Sequence, residues 1–197
     1  MSEERREYFR IDDQIALEYR VIDEADVEAI RDKIHAAVPD KFMTASSFAA
    51  TSRQIAHLLH RLQPQSPELV RCLQAIDQKL NTLAQLFVAE EMKIETQPTR
   101  EVNISAGGLA FRSQQQIPVG ALLEMRMVLL PSLVGILTVA RVVKCEHVND
   151  GQLQFPWRIA VTYEHIRESD RELLVRHIMT RETQLLRAQR SDGGAPS

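Results

Sequence analysis

The chain has 197 residues, of which 44% are apolar and 26% are charged, the proportions of a globular protein with one ordinary core and an extra element. A formal net charge of −3 argues against a general nucleic-acid binder, because such proteins carry an excess of positive charge. Cys72 and Cys145 lie far apart and form no CxxC pair, which favours a reducing compartment. The charged start of the chain lacks the apolar segment of a secretory signal, so we expect a cytoplasmic protein.

An arginine cluster stands near the start of the chain. The segment ERREYFRID places Arg5, Arg6 and Arg10 around two aromatic residues, directly before the first predicted strand. Each guanidinium presents a planar fork of donors that suits a phosphate or a guanine edge. The same spacing recurs at Arg167 and Arg171, which we expect on a solvated face. The first cluster therefore predicts a local anion site in a chain of negative net charge.

One strand pattern and then three helical patterns follow. Residues 14–22 alternate between apolar and polar as a strand does. Apolar residues then recur every three or four positions over 23–38, 42–62 and 67–93, which predicts three helices. The third helix carries an unbroken heptad seam, which consists of Leu69, Leu73, Ile76, Leu80, Leu83 and Phe87. Such a seam indicates a coiled coil or helical bundle, and a helix packed only on its own domain is the alternative.

The width of this apolar helix face bears on the number of chains that assemble. Val70, Leu86 and Val88 extend the seam, and a wide face suits a bundle of several helices better than a two-stranded coil. We therefore expect a homo-oligomer, with a tetramer ahead of a dimer.

Short strands return after residue 97. TREVNIS and GLAFRS bracket Gly107 and Gly108, and further apolar segments are separated by QIPVG, PSLVG and NDGQ. This pattern is typical of an antiparallel barrel or sandwich. The apolar run over 127–143 contains the turn PSLVG, so it predicts two strands and no membrane span. A helix and a frayed tail end the chain.

The first strand and the later ones are predicted to form one unit. We expect an α+β fold, in which residues 1–22 and 97–190 form an antiparallel barrel of six to seven strands with a C-terminal helix. Residues 23–96 are then an inserted helical segment for oligomerisation, and 191–197 are a disordered tail. Without the insertion, the strand in NISAGG would follow the first strand directly. The arginine cluster and NISAGG are thus expected to meet at one end of the barrel.

The polar groups of NISAGG complete a candidate binding site. Asn103 can donate and accept hydrogen bonds, and Ser105 adds a hydroxyl. Gly107 and Gly108 permit a tight turn and close approach of a ligand to the backbone. Together with the arginines, these groups suit an anionic ligand that carries a purine. They include no convincing base, nucleophile or metal-ligand set, so we expect a binding protein without metal or cofactor, and no enzyme.

The two motifs, RxxxR in RREYFR and [D/N]xSxxG in NISAGG, resemble those of the PilZ domain family, the cyclic di-GMP receptors of bacteria. The resemblance covers residues 1–22 and about 97–180, and it implies that the N-terminal segment folds over a ligand on the barrel surface. The implied ligand contacts are phosphate and guanine contacts from Arg6 and Arg10, an additional contact from Arg5, bonds from Asn103 and Ser105, and an open turn at Gly107 and Gly108. The helical insertion departs from the ordinary family pattern, in which the two motifs are closer in sequence.

Two functions are compatible with these features. The first is a cyclic di-GMP effector, in which ligand binding regulates an unknown downstream protein partner. The alternative is a constitutive oligomeric scaffold whose barrel does not bind nucleotide. The presence of both motifs favours the effector.

Overall fold

A computed structural model describes residues 9–35, 41–93, 99–149 and 154–192. These residues form six strands and four helices. In chain order they are β1 (Ile11–Ile22), α1 (Glu24–His35), α2 (Lys41–Leu62), α3 (Pro67–Glu91), β2 (Arg100–Ser105), β3 (Gly108–Ser113), β4 (Leu122–Leu129), β5 (Val134–His147), β6 (Trp157–His165) and α4 (Glu168–Asp192).

The six strands close into an antiparallel barrel with the order β1-β2-β3-β6-β5-β4. β1 pairs with β2 on one side and with β4 on the other, although the three helices separate β1 from β2 in sequence. Alternate residues of every strand point inwards and form one apolar core, which includes Ile15, Ile104, Leu109, Met125, Ile136 and Ile159. The predicted α+β fold, with a six- to seven-stranded barrel and a C-terminal helix, is confirmed.

The inserted helices pack against the outside of the barrel. A second buried cluster joins outward-facing residues of β1, β4 and β5 to the helices, and it includes Ala16, Val128, Leu137, Ile30, Ile34, Val88 and Met92. Phe42 of α2 is fully buried and lies over Gly135 of β5, where an added Cβ would stand 2.9 Å from the ring. The helices therefore cover apolar barrel surface, while the separation of 23–96 as an independent unit stays a prediction.

Helix α3 has two apolar faces. Val70 and Val88 are 1% exposed and share one face of α3, which packs against α2, and Val88 also belongs to the buried cluster on the barrel surface. On the same face, Asp77 and Asn81 form hydrogen bonds with Ser52 of α2, at 2.8 and 2.7 Å respectively. At 3.6 residues per turn this face lies about 100° from the heptad seam. The expectation that Val70 and Val88 widen the seam was therefore wrong.

The heptad seam itself is exposed in the single chain. Its six side chains retain between 36% and 53% of their accessible surface. Six neighbouring large apolar residues in this state form an unusual surface for an isolated chain. The seam is thus available for contact with other copies of the chain.

Helix α4 closes one end of the barrel. Leu174 and Ile178 are buried in the barrel core, and the helix continues through Asp192. Its last two residues belong to the predicted tail, so that boundary was placed too early; residues 193–197 lie outside the described residues. Within the described part of the chain, no helix is long and apolar enough to cross a membrane.

Candidate functional site

The register between β1 and β2 brings the two sequence motifs together. Ile11 lies opposite Ile104, and Asp12 lies opposite Asn103. Arg10 directly precedes Ile11, so continuation of the antiparallel register places it beside Ser105. Arg10 is exposed, which leaves its guanidinium accessible to a ligand. Arg5 and Arg6 lie outside the described residues.

The NISAGG segment forms a tight hairpin between β2 and β3. The Ser105 hydroxyl is buried and donates to the Gly108 carbonyl over 3.0 Å. The Gly107 carbonyl accepts a hydrogen bond from the Tyr163 amide of β6, also at 3.0 Å. Ser105 therefore shapes the turn in this structure, and β6 holds the turn in place.

Gly108 has a packing role in the same hairpin. A Cβ built on this residue would lie 2.1 Å from the backbone oxygen of Val161 on β6, closer than any side chain allows. Glycine is therefore required for β3 to approach β6, apart from any contact that a ligand makes with the turn.

Asn103 faces outwards and forms a hydrogen bond across the strands. Its amide nitrogen donates to Asp12 Oδ1 over 2.8 Å. Asn103 is paired on its other side with Ala110 of β3, and Ala110 is paired with Ala160 of β6. Asp12 and Asn103 thus lie beside two small side chains, Ala110 and Ala160, on the outer face of the sheet.

An open groove of about 550 Å³ runs over this part of the barrel. Asp12, Asn103 and Ala110 line it, together with three arginines, Arg112, Arg158 and Arg181. Its volume lies within the range of small-ligand sites. The groove therefore combines cationic and hydrogen-bonding groups with the small apolar side chain of Ala110.

Helix α4 contributes an arginine to the NISAGG turn. Arg171 Nη1 donates to the Ala106 carbonyl over 2.6 Å. Arg167 forms an ion pair, at 2.9 Å, with Asp170, whose side chain is fully buried. The expectation that Arg167 and Arg171 occupy a solvated face was therefore wrong, because Arg171 bonds to the turn and Arg167 pairs with a buried carboxylate of α4.

The charges of Arg10 and Arg171 converge near Tyr163. Burial raises the pKa of the Tyr163 hydroxyl above its ordinary value, and the positive charges of Arg10 and Arg171 act in the opposite direction. Charges affect a pKa in this way only at short range. The bond from Arg171 to Ala106 and the β1–β2 register place Arg171 and Arg10 at the same end of the barrel, close to the NISAGG turn.

A buried carboxylate joins β1 to α4 beside the groove. Asp13 has a fully buried side chain, with Oδ2 at 2.6 Å from His177 Nε2 and Oδ1 at 2.9 Å from Arg181 Nη2. Burial alone would raise the pKa of Asp13, but the hydrogen bond and charge of His177 and the hydrogen bond from Arg181 bring it below its ordinary value. The folded protein thus favours the ionised carboxyl.

The ionised Asp13 should make the free energy of unfolding depend on pH. An ordinary aspartate has a pKa of about 3.9. Because the pKa of Asp13 is lower in the folded protein, its ionised carboxyl stabilises the fold fully above that value, and this stabilisation is lost as pH falls below it. We expect the difference in unfolding free energy between wild type and Asp13→Asn to shrink as pH is lowered from 7 to 3. Urea denaturation at several pH values measures it. The exposed Asp32→Asn variant should follow wild type throughout, and a constant difference for Asp13→Asn would contradict the prediction.

Comparison with known proteins agrees with this architecture. The PilZ domain family matches residues 82–180, from within α3 to within α4, so β1 and the arginine cluster precede the matched region. No curated protein matches the sequence.

Two solved structures are similar to the chain. One is a pathogenic protein from Xanthomonas campestris, described as a tetrameric PilZ domain self-assembled via an unusual helical bundle, with 16% identity, a TM-score of 0.56, and coverage of 92% of this chain and 91% of that one. The other is the Bacillus subtilis inhibitor of motility (MotI/DgrA), with 24% identity, a TM-score of 0.38, and coverage of 46% of this chain and 44% of that one.

The closed barrel, the C-terminal helix and the hairpin beside an exposed arginine define an antiparallel β-barrel domain with a C-terminal helix. Half of the chain matches the family, and the fold agrees with that match. The chain belongs to the PilZ domain family.

Proposed function

We propose that the protein is a cyclic di-GMP effector, which couples binding of the dinucleotide to regulation of a protein partner. The observation that carries this proposal is the β1–β2 register, because it sets Arg10 beside the Asn103 strand despite the intervening helices. The PilZ family is one of cyclic di-GMP receptors, and both of its motifs are present in this chain.

The groove supports a ligand of this chemistry. Arg10 and Arg158 are exposed cations that suit two phosphates, and Asn103 offers an amide to a guanine edge. Ala110 and Ala160 present little side chain above the sheet, so a planar base can lie against them. In this proposal Arg5 and Arg6 supply further phosphate contacts, Gly107 and Gly108 form the turn, and Ser105 positions Asn103 through that turn.

Two contacts connect the candidate ligand site to α4. Asp13 is adjacent in sequence to Asp12 of the groove and is held by His177 and Arg181. Ala106 lies within the NISAGG turn and is held by Arg171. A ligand that orders β1 and the turn therefore acts on the groups that hold α4 against the barrel. We propose that α4 is the element through which binding is transmitted to a protein partner.

The second part of the proposal concerns assembly. The exposed heptad seam of α3 supports a homo-oligomer, with a tetramer ahead of a dimer. The similar Xanthomonas campestris protein is described as a tetramer assembled via a helical bundle. The cysteines Cys72 and Cys145 are free, which favours a reducing compartment such as the cytoplasm.

Calorimetric titration of cyclic di-GMP into the wild-type protein tests the binding proposal. We expect a dissociation constant below about 10 µM, roughly −7 kcal/mol, and a melting temperature that rises with ligand concentration, because a ligand specific for the folded state stabilises it. GTP at the same concentration is the control for nonspecific anion binding. If cyclic di-GMP gives no heat and no shift, the constitutive scaffold takes the place of the effector.

A further inference from the structure

An acidic side chain lies inside the candidate ligand groove. Asp12 is on the outer face of β1, directly opposite Asn103, and it lines the groove. A carboxylate in this place is unfavourable for the phosphates of an anionic ligand. A hydrogen bond from another part of the ligand to this carboxylate would offset that repulsion.

The hydrogen bond between Asn103 and Asp12 orients both side chains. Asn103 Nδ2 donates to Asp12 Oδ1 over 2.8 Å, and no other hydrogen bond to this carboxylate is present within the described ranges. A carboxylate only accepts hydrogen bonds, and its two oxygens offer about four sites. Asp12 thus presents an oriented pair of acceptors to the groove.

Guanine and adenine differ in what they offer to such a pair. The Watson–Crick edge of guanine carries the N1–H and N2–H donors side by side, whereas that of adenine has an acceptor at N1. A carboxylate can bond to both guanine donors but faces a repulsive acceptor in adenine. The distinction is one of hydrogen-bond pattern, by which proteins read an unpaired base.

The neighbouring residues provide a place for the base. Asp12, Asn103, Ala110 and Ala160 form one row across four adjacent strands. A base that lies flat over the two alanines directs one edge along this row towards the polar pair. The row therefore has two small apolar side chains on one side and the polar pair of Asp12 and Asn103 on the other.

We propose that Asp12 is a specificity-determining residue, which accepts hydrogen bonds from N1–H and N2–H of one guanine of cyclic di-GMP while Asn103 holds its carboxylate in position. This inference rests on the proposed function. It assigns to Asp12 the selection of guanine over adenine, and it leaves the phosphates to the arginines.

Titrations with two cyclic dinucleotides test this assignment. Cyclic di-GMP and cyclic di-AMP have the same phosphates and differ in their bases. Asp12→Asn keeps the size of the side chain but replaces one acceptor by a donor. We expect it to weaken cyclic di-GMP binding about tenfold, the scale of one hydrogen bond to a charged group, without weakening cyclic di-AMP binding. The preference for guanine then shrinks by the same factor.

Glu101→Gln is the matched control for charge. Glu101 lines the same groove, so this variant removes an equal charge without touching Asn103, and it should tighten binding slightly because it reduces repulsion of the phosphates. If Asp12→Asn also tightens cyclic di-GMP binding, or keeps the wild-type preference, Asp12 acts only through its charge and the assignment is overturned while the effector function stands. If wild type binds neither dinucleotide, both proposals fail.

Discussion

Replacement of Leu73 and Leu80 by glutamate should convert the proposed oligomer into monomers. Both leucines belong to the heptad seam, and they retain 36% and 43% of their accessible surface in the single chain. In an assembled bundle each glutamate would place an unpaired charge in an apolar interface and lose the burial of a leucine, at a cost of several kcal/mol per site, roughly. Light scattering at micromolar concentration should give about four chain masses for wild type and one for the variant.

The control for this variant changes two apolar residues on the barrel surface. Val119 and Val143 are 64% and 51% exposed, so Val119→Glu plus Val143→Glu introduces the same charge away from α3. This control should keep the wild-type mass, and circular dichroism should show that both variants are folded. A monomeric wild type, or an oligomer that survives Leu73→Glu plus Leu80→Glu, would exclude the seam as the interface.

Arg10→Ala should weaken cyclic di-GMP binding by about 1.5 to 3 kcal/mol, the scale of a hydrogen bond to a charged group, or roughly tenfold to a hundredfold. Arg10 is exposed next to the NISAGG turn, where its guanidinium can bond to a phosphate or to a guanine edge. Wild-type affinity should also fall as salt is added, because part of it is charge neutralisation. Calorimetric titration measures both effects, and Arg6→Ala should act similarly to Arg10→Ala.

The control for Arg10 is an arginine outside the barrel. Arg167 is unsuitable because it pairs with the buried Asp170, and its loss would disturb α4. Arg61 is exposed near the end of α2, and Arg61→Ala removes the same charge without changing the groove. If Arg61→Ala weakens binding as much as Arg10→Ala, the effect comes from net charge, and Arg10 is no part of the site.

The structure adds packing roles to the ligand contacts predicted for the NISAGG motif. The motif residues were expected to contact the ligand, yet the Ser105 hydroxyl is directed into the turn and Gly108 is required by the approach of β6. Asn103 and Arg10 are left as the motif side chains that face the groove or solvent among the described residues. Ser105 and Gly108 thus build the hairpin, and their ligand contacts stay predictions.

Local patterns in the sequence were sufficient to predict most of the helices and strands. The alternation of apolar residues predicted β1, the heptad spacing predicted α3 and its seam, and the turn PSLVG separated β4 from β5, as the structure confirms. Such patterns are readable because they report which side of a helix or strand is buried, and this depends on residues only a few positions apart. The two motifs also predicted the family, which the comparison confirms.

Contacts between distant parts of the chain were decided only by the tertiary structure. Asn103 bonds to Asp12 across a separation of 91 residues, Arg171 bonds to Ala106 across 65, and His177 bonds to Asp13 across 164. No spacing in the sequence encodes these pairs, because they result from the register of β1 on β2 and from the docking of α4 on the barrel end. For the same reason the sequence could not show that Val70 and Val88 are buried within the chain and do not belong to the seam. A helical pattern shows that a face is apolar, but it does not show which surface covers that face.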